Sequence, residues 1–227
     1  VKTHQEAYFM GRIAASTTHG LKNILAVISE TLGLLEDLAS APSRTASLDE
    51  YLDKVKKSVA IVSAQVAKGI ALVEDYNRFA HILDHPVQKI DLRDSIHHLI
   101  KLCAHMIRLK QVKVEQQIPE SKTDVHLTTC PFYLYMVVFE ILDRLMTQMS
   151  PGSFIKLQLE KDGDTAMICF SIASPEDKSE FGINIQQLVL AVEPFLKALE
   201  AEFTFDEKEK ALRLTLRDLN PDKFAFC

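Results

Sequence analysis

Eight residues, Ala14, Thr17, Leu21, Ile24, Ile28, Thr31, Leu35 and Leu38, follow one another at alternating steps of three and four. Such spacing keeps side chains on one stripe of an α-helix, so it predicts a long helix packed lengthwise against other helices. A second stretch repeats it: Leu48, Leu52, Val55, Val59, Val62, Val66 and Val73, with Gly69 in the missing place and Glu50, Lys54, Lys56 and Lys57 outside. Between the two, Ala41-Pro-Ser-Arg-Thr-Ala-Ser47 reads as a turn, with Ser47 or Asp49 placed to cap the second helix. The pair predicts a helical hairpin. Leu25, Leu32 and Leu34 widen the first stripe beyond what one partner helix covers. The expected arrangement is therefore two hairpins joined in a four-helix bundle, a homodimer whose seam residues are core.

The texture changes after His85-Pro86. Val87 to Leu92 reads as a short strand, Arg93 to Lys110 as a helix with Ile96, Leu99, Ile100, Cys103 and Ile107 on one face, and Val112 to Ile118 as an alternating strand. A helix from Pro131 to Met149 ends at Ser150-Pro-Gly152. Strands Phe154 to Lys161 and Thr165 to Ala173 follow, joined at Asp162-Gly-Asp164 by a hairpin signal. A helix from Ile185 to Glu200 precedes strands Glu202 to Asp206 and Ala211 to Arg217. The chain reads as α+β: residues 1–84 a helical-hairpin domain, residues 85–227 an α/β sandwich of helices and antiparallel strands.

Composition narrows the function classes. With 227 residues, 47% hydrophobic and 25% charged, the chain has material for one large or two small globular domains. Its longest apolar runs, such as Leu188-Val-Leu-Ala-Val192, fall far short of the roughly 18 residues of a bilayer span, and a cytoplasmic protein is expected. A net charge of -5 without a basic stripe argues against nucleic acid. Cys103, Cys130, Cys169 and Cys227 are scattered without metal-ligand spacing and read as free thiols, buried for the most part.

His19 lies on the first helix but off its apolar stripe. An imidazole titrates near neutrality, and its unprotonated nitrogen, held at a helix surface, is a competent nucleophile toward a phosphoryl group. The other histidines, His97, His98, His105 and His126 among them, lack partners at metal spacing and read as ordinary. Glu140 and Asp143, beside Arg144, read as an ion-pair cluster. Lys22, Asn23, Ala26, Ser29, Glu30 and Gly33 form an outer strip of small and polar residues around His19, against which a partner's helix can lie close.

Met10-Gly-Arg-Ile-Ala-Ala-Ser-Thr-Thr-His-Gly-Leu-Lys-Asn23 resembles the H-box of bacterial two-component sensor histidine kinases. Ile90-Asp-Leu-Arg-Asp94 resembles the link into their ATP-binding domain, Phe132 to Met149 their N-box helix, and Gly152-Ser-Phe-Ile-Lys-Leu157 the following strand. The resemblance spans almost the whole chain and implies the dimerisation and phosphoacceptor unit followed by a degenerate ATP-binding-type sandwich. It makes His19 the phosphoacceptor and Asn23, one turn on, a residue facing the chemistry of the receiver's aspartate.

The family's nucleotide residues are replaced. Glu140 and Arg144 stand where N-box asparagines are expected, Ile172-Ala-Ser-Pro-Glu176 where an Asp-x-Gly-x-Gly loop is expected, and a lone Gly182 where the glycine-rich lid is expected. Gly20 follows His19 where an acidic residue is usual. The pattern is similar to the dimeric histidine phosphotransferases, which keep the kinase fold without the nucleotide site. The expected function is relay of a phosphoryl group between receiver-domain aspartates through His19, with no cofactor of its own and Mg²⁺ arriving with the receiver. The alternatives are a non-catalytic pseudo-histidine-kinase acting as a dimeric scaffold, and a divergent sensor kinase that still binds ATP. The tail Leu219 to Cys227 carries two phenylalanines for packing on the domain or on a partner.

Overall fold

The computed structural model describes residues 2–40, 47–117, 125–173, 184–206 and 209–220. Helices α1 (Lys2–Ser40) and α2 (Leu48–Ala80) form the expected hairpin. They run antiparallel: a Cβ on Gly20 would meet Leu72 and one on Gly69 would meet Ile24. Ser47 caps α2 by accepting the Glu50 amide, and Asp49 and Glu50 favour the same helix end electrostatically. Most of the connecting turn, residues 41–46, lies outside the described residues.

The stripe of α1 that meets α2 is the one its sequence predicts, with Thr17 and Thr31 buried and Ala14, Leu21, Ile24, Ile28, Leu35 and Leu38 half-buried. On α2 the packing differs from expectation. Val55, Val62 and Gly69 do turn inward, but with Tyr51, Ser58, Gln65 and Leu72 beside them. Leu48, Leu52, Val59, Val66 and Val73 flank that line and stay 43–72% exposed. Two apolar lines one residue apart in phase run along α2, and the single antiparallel partner within the chain covers only one. Leu25, Leu32 and Leu34 of α1 are exposed as well.

After a 3₁₀ turn (His81–Leu83), β1 (Gln88–Asp91) pairs antiparallel with β3 (His126–Thr129) as a separate ribbon. Asp91 ends β1 and caps α3 (Leu92–Leu109), its carboxylate accepting the Arg93 and Asp94 amides. Strands β2 (Lys113–Gln117), β4 (Phe154–Asp162), β5 (Thr165–Ala173), β7 (Ala211–Arg217) and β6 (Glu202–Asp206) form the main sheet in the order β2-β4-β5-β7-β6. The β2–β4 pair is parallel, against the antiparallel expectation, because α4 (Pro131–Gln148) carries the chain back between them; the other pairs are antiparallel. Gly163, at φ +56°, makes the tight β4–β5 turn.

Alternation gives the sheet one core face: Ile155, Leu157 and Leu159, Ala166, Ile168 and Phe170, and Leu212, Leu214 and Leu216 are buried. Helix α4 is buried almost all round, and α5 (Ile185–Leu196) contributes Leu188, Val192 and Phe195 to the same core. Phe9 of α1 and Phe79 of α2 enter this core too, 5.6 Å apart edge to face. Phe9 also meets Phe132 and Phe139 of α4, so aromatic contacts weld the root of the hairpin to the α/β part. Cys103, Cys130 and Cys169 are buried thiols, and burial pushes that of Cys103 up to about 12. Among the described residues, no helix is long and apolar enough to cross a membrane.

Candidate functional site

His19 is exposed on the side of α1 opposite α2. The stripe that carries it, Arg12, Ser16, His19, Asn23, Ala26, Glu30 and Gly33 at steps of three and four, is distinct from the hairpin seam. Its first half packs on α3 and α4. The Arg12 guanidinium donates to Asp143 at 2.8 Å and to the Met106 sulfur at 3.4 Å, and the Ser16 hydroxyl donates to the Leu102 carbonyl at 2.8 Å. His19 comes next, its ring stacked on that of His105 with centroids 4.0 Å and planes 29° apart. Beyond it Asn23, Ala26 and Glu30, with Lys22 and Ser29 beside them, are exposed, and the space over Gly33 is open.

His105 is half-buried near the C-terminal end of α3. The Arg108 guanidinium donates to its Nδ1 at 3.1 Å, which requires a neutral ring with the proton on Nε2. Burial first, then the neighbouring His19 ring and the Arg108 charge, push protonation of His105 below the ordinary histidine range. His19 therefore has one ring face covered by an uncharged partner and the rest of its surface toward water. The sequence presents His105 as an ordinary histidine and gives Arg108 no role. Their only signal was a basic last turn on α3, and nothing local ties it to a residue 86 positions earlier.

Gly20 has a structural reason. A Cβ there would lie 3.0 Å from Leu72 Cδ2, a tight contact that the end of the leucine relieves by giving a few tenths of an ångström. The position after His19 thus faces α2, where an acidic side chain would meet an apolar neighbour.

Glu140, Asp143 and Arg144 are ion-paired as the sequence suggested, Arg144 with Glu140 at 2.6 Å and Asp143 with Arg12 of the hairpin. They line a cleft of about 430 Å³ whose other wall is His4, Gln5, Tyr8 and Phe9 of α1. Both carboxylates are thus occupied by arginines, and the hairpin's own first turns form the cleft. Ile172 and Ala173 end β5, while residues 174–183, with the rest of the replaced loop and Gly182, lie outside the described residues, as do Cys227 and residues 221–227 of the tail.

His98 is a core histidine. Its Nε2 donates to the Asp75 carbonyl at 2.8 Å, and its Nδ1 lies 2.9 Å from the Tyr135 hydroxyl. Burial holds it below the ordinary range, in the neutral form that those two partners suit. His97 and His126 are exposed. Among the described residues, no group of three or more histidine, cysteine or acidic side chains is gathered as a metal site.

No family profile matches the chain, and no curated protein matches it. Solved structures it is similar to include histidine kinases. Histidine kinase AdeS of Acinetobacter baumannii aligns over 89% of this chain and 98% of its own, at 13% identity and a TM-score of 0.45. The cytoplasmic segment of histidine kinase QseC aligns over 68% and 95%, at 16% identity and a TM-score of 0.41. Histidine kinase ThkA, in complex with response regulator protein TrrA, aligns over 97% and 65%, at 11% identity and a TM-score of 0.47.

Proposed function

We propose that this chain is a two-component signalling protein acting as a dimeric histidine phosphotransferase, with His19 the phosphoacceptor. The observation that carries the reading is the stripe of α1: His19 stands at the edge of the covered half, and an open strip of small and polar residues continues past it. That strip, Lys22, Asn23, Ala26, Ser29, Glu30 and Gly33, is the docking surface for a receiver domain. Its small members, Ala26, Ser29 and Gly33, let the receiver's backbone approach the helix closely.

In the transfer, the unprotonated nitrogen of the neutral His19 ring attacks the phosphorus of an aspartyl phosphate on the receiver. An N–P bond forms as the acyl O–P bond breaks, the electron pair leaves with the aspartate carboxylate, and the second ring nitrogen keeps its proton. The reverse step loads a second receiver. Catalysis is positioning and charge neutralisation, with Mg²⁺ arriving in the receiver's own acidic cluster and Asn23 and Lys22 flanking the phosphoryl group. The α/β part supplies a wall beside His19, and the carboxylates in its cleft, Glu140 and Asp143, are engaged by Arg144 and Arg12. This arrangement supports phosphotransfer over an ATP-dependent kinase.

The homodimer rests on the exposed apolar line of Leu52, Val59, Val66 and Val73 with Leu25 and Leu32 of α1. The test offers the purified chain phosphoryl groups from two sources, radiolabelled receiver and radiolabelled Mg-ATP. Label acquired from receiver and lost in His19→Ala is expected. Label from ATP alone would make the chain a kinase, and label from neither would leave a scaffold.

A further inference from the structure

The stack between His19 and His105 joins two elements that the rest of the site holds rigidly. The Ser16–Leu102 hydrogen bond lies one turn before it on α1, and Arg12 is anchored two turns before it on Met106 and Asp143. The position of His105 over His19 is therefore imposed by buried neighbours. Within α1 the adjoining position cannot orient the ring, since Gly20 lacks a side chain and its Cβ direction points at Leu72.

An unrestrained histidine on a helix surface samples several rotamers, and each wrong one removes the ring nitrogen from the line of attack. A flat neutral ring 4.0 Å away limits that sampling while leaving both edge nitrogens of His19 uncovered by the stack. Arg108 fixes this partner in turn by donating to its Nδ1.

We propose that His105 is a positioning residue for the His19 imidazole, held in place by Arg108, so that the second domain sets the orientation of the phosphoacceptor across the domain junction. The inference rests on the phosphotransfer reading and adds to it a role for the α/β part. His105 acts through the face of its ring, so a flat ring without nitrogens keeps that contact and loses only the hydrogen bond from the exposed Arg108, the smaller part of the hold. Arg108 stands beside the ring, exposed, where its charge also favours a phosphoryl group arriving on His19.

The experiment uses the full chain as wild type, His105→Ala, His105→Phe and, as control, His97→Ala. Two readouts are taken: the ring-proton NMR shifts of His19, and the single-turnover rate of transfer from phosphorylated receiver. Expected are loss of the stacking shift and at least a tenfold slower transfer in His105→Ala. His105→Phe retains a stacking shift and stays within about threefold of wild type, as does His97→Ala. The inference is overturned if His19 shifts are unchanged in His105→Ala, if they change while the rate does not, or if phenylalanine fails to rescue in a folded chain. A wild-type chain that takes no label from any receiver overturns the phosphotransfer reading itself, and is told apart because that failure precedes any substitution.

Discussion

One stripe of α1 has two fates. From Arg12 to His19 it is covered by α3 and α4; from Asn23 to Gly33 the same helical face is open. Both halves have equal helical geometry, so periodicity assigns the face but not its cover. The covered half carries a charged anchor, a hydroxyl donor and the stacked histidine. The open half carries small residues and no large apolar side chain. On the proposed reading, this helix face is a rigid mount followed by a landing strip for the receiver, with His19 at the border.

The strongest way to break the comparison is to remove what holds the mount. Phe9→Ala deletes a side chain only 1% exposed, in contact with Phe79, Phe132 and Phe139. It is expected to cost about 3–5 kcal/mol by denaturant unfolding, whereas Ala26→Ser on the landing strip stays within about 0.5 kcal/mol. Equal effects of the two would mean that the covered and open halves do not differ.

The other uncovered face, the valine line of α2, is tested by mass. Val59→Glu with Val66→Glu leaves hairpin packing intact but places charge on side chains 52% and 45% exposed. A fall from dimer to monomer in sedimentation, with helicity retained, is expected. An unchanged mass would assign the line to solvent.

Acid sharpens the comparison at the junction. Folded His98 binds its proton less readily than it does in the unfolded chain, because burial disfavours the charged ring. The unfolded state therefore takes up more protons as pH falls below about 6.5, and stability present above that value is lost on the way down. His98→Gln flattens this part of the stability profile between pH 7 and 5 if the assignment holds. The smallest effect belongs to Arg12→Ala, which leaves the Asp143 carboxylate short of a partner at a half-covered site. Its cost is about 1 kcal/mol in thermal unfolding, and His19 reactivity follows only as far as α1 shifts on α3.

Much of this was legible in the sequence. The α1 stripe, the Ser47 cap, the β4–β5 hairpin and the outward register of His19 are local patterns, and local geometry decides them. The lining of the α2 seam was not, since Val59, Val66 and Val73 fit the same period as the residues that turn inward. The parallel β2–β4 pairing depends on where α4 lies, and the His19–His105 stack on how two domains meet. Gly20 read as a gap in a motif, and only its distance to Leu72 shows a packing reason.

The most direct test of the account is to locate the phosphoryl group. The chain, mixed with a phosphorylated receiver and quenched in alkali, is digested and its phosphopeptides are sequenced. The account predicts an acid-labile phosphoramidate on the peptide containing His19 and on no other. Phosphate on a different residue, or its appearance on His19 only when Mg-ATP is the donor, would contradict it.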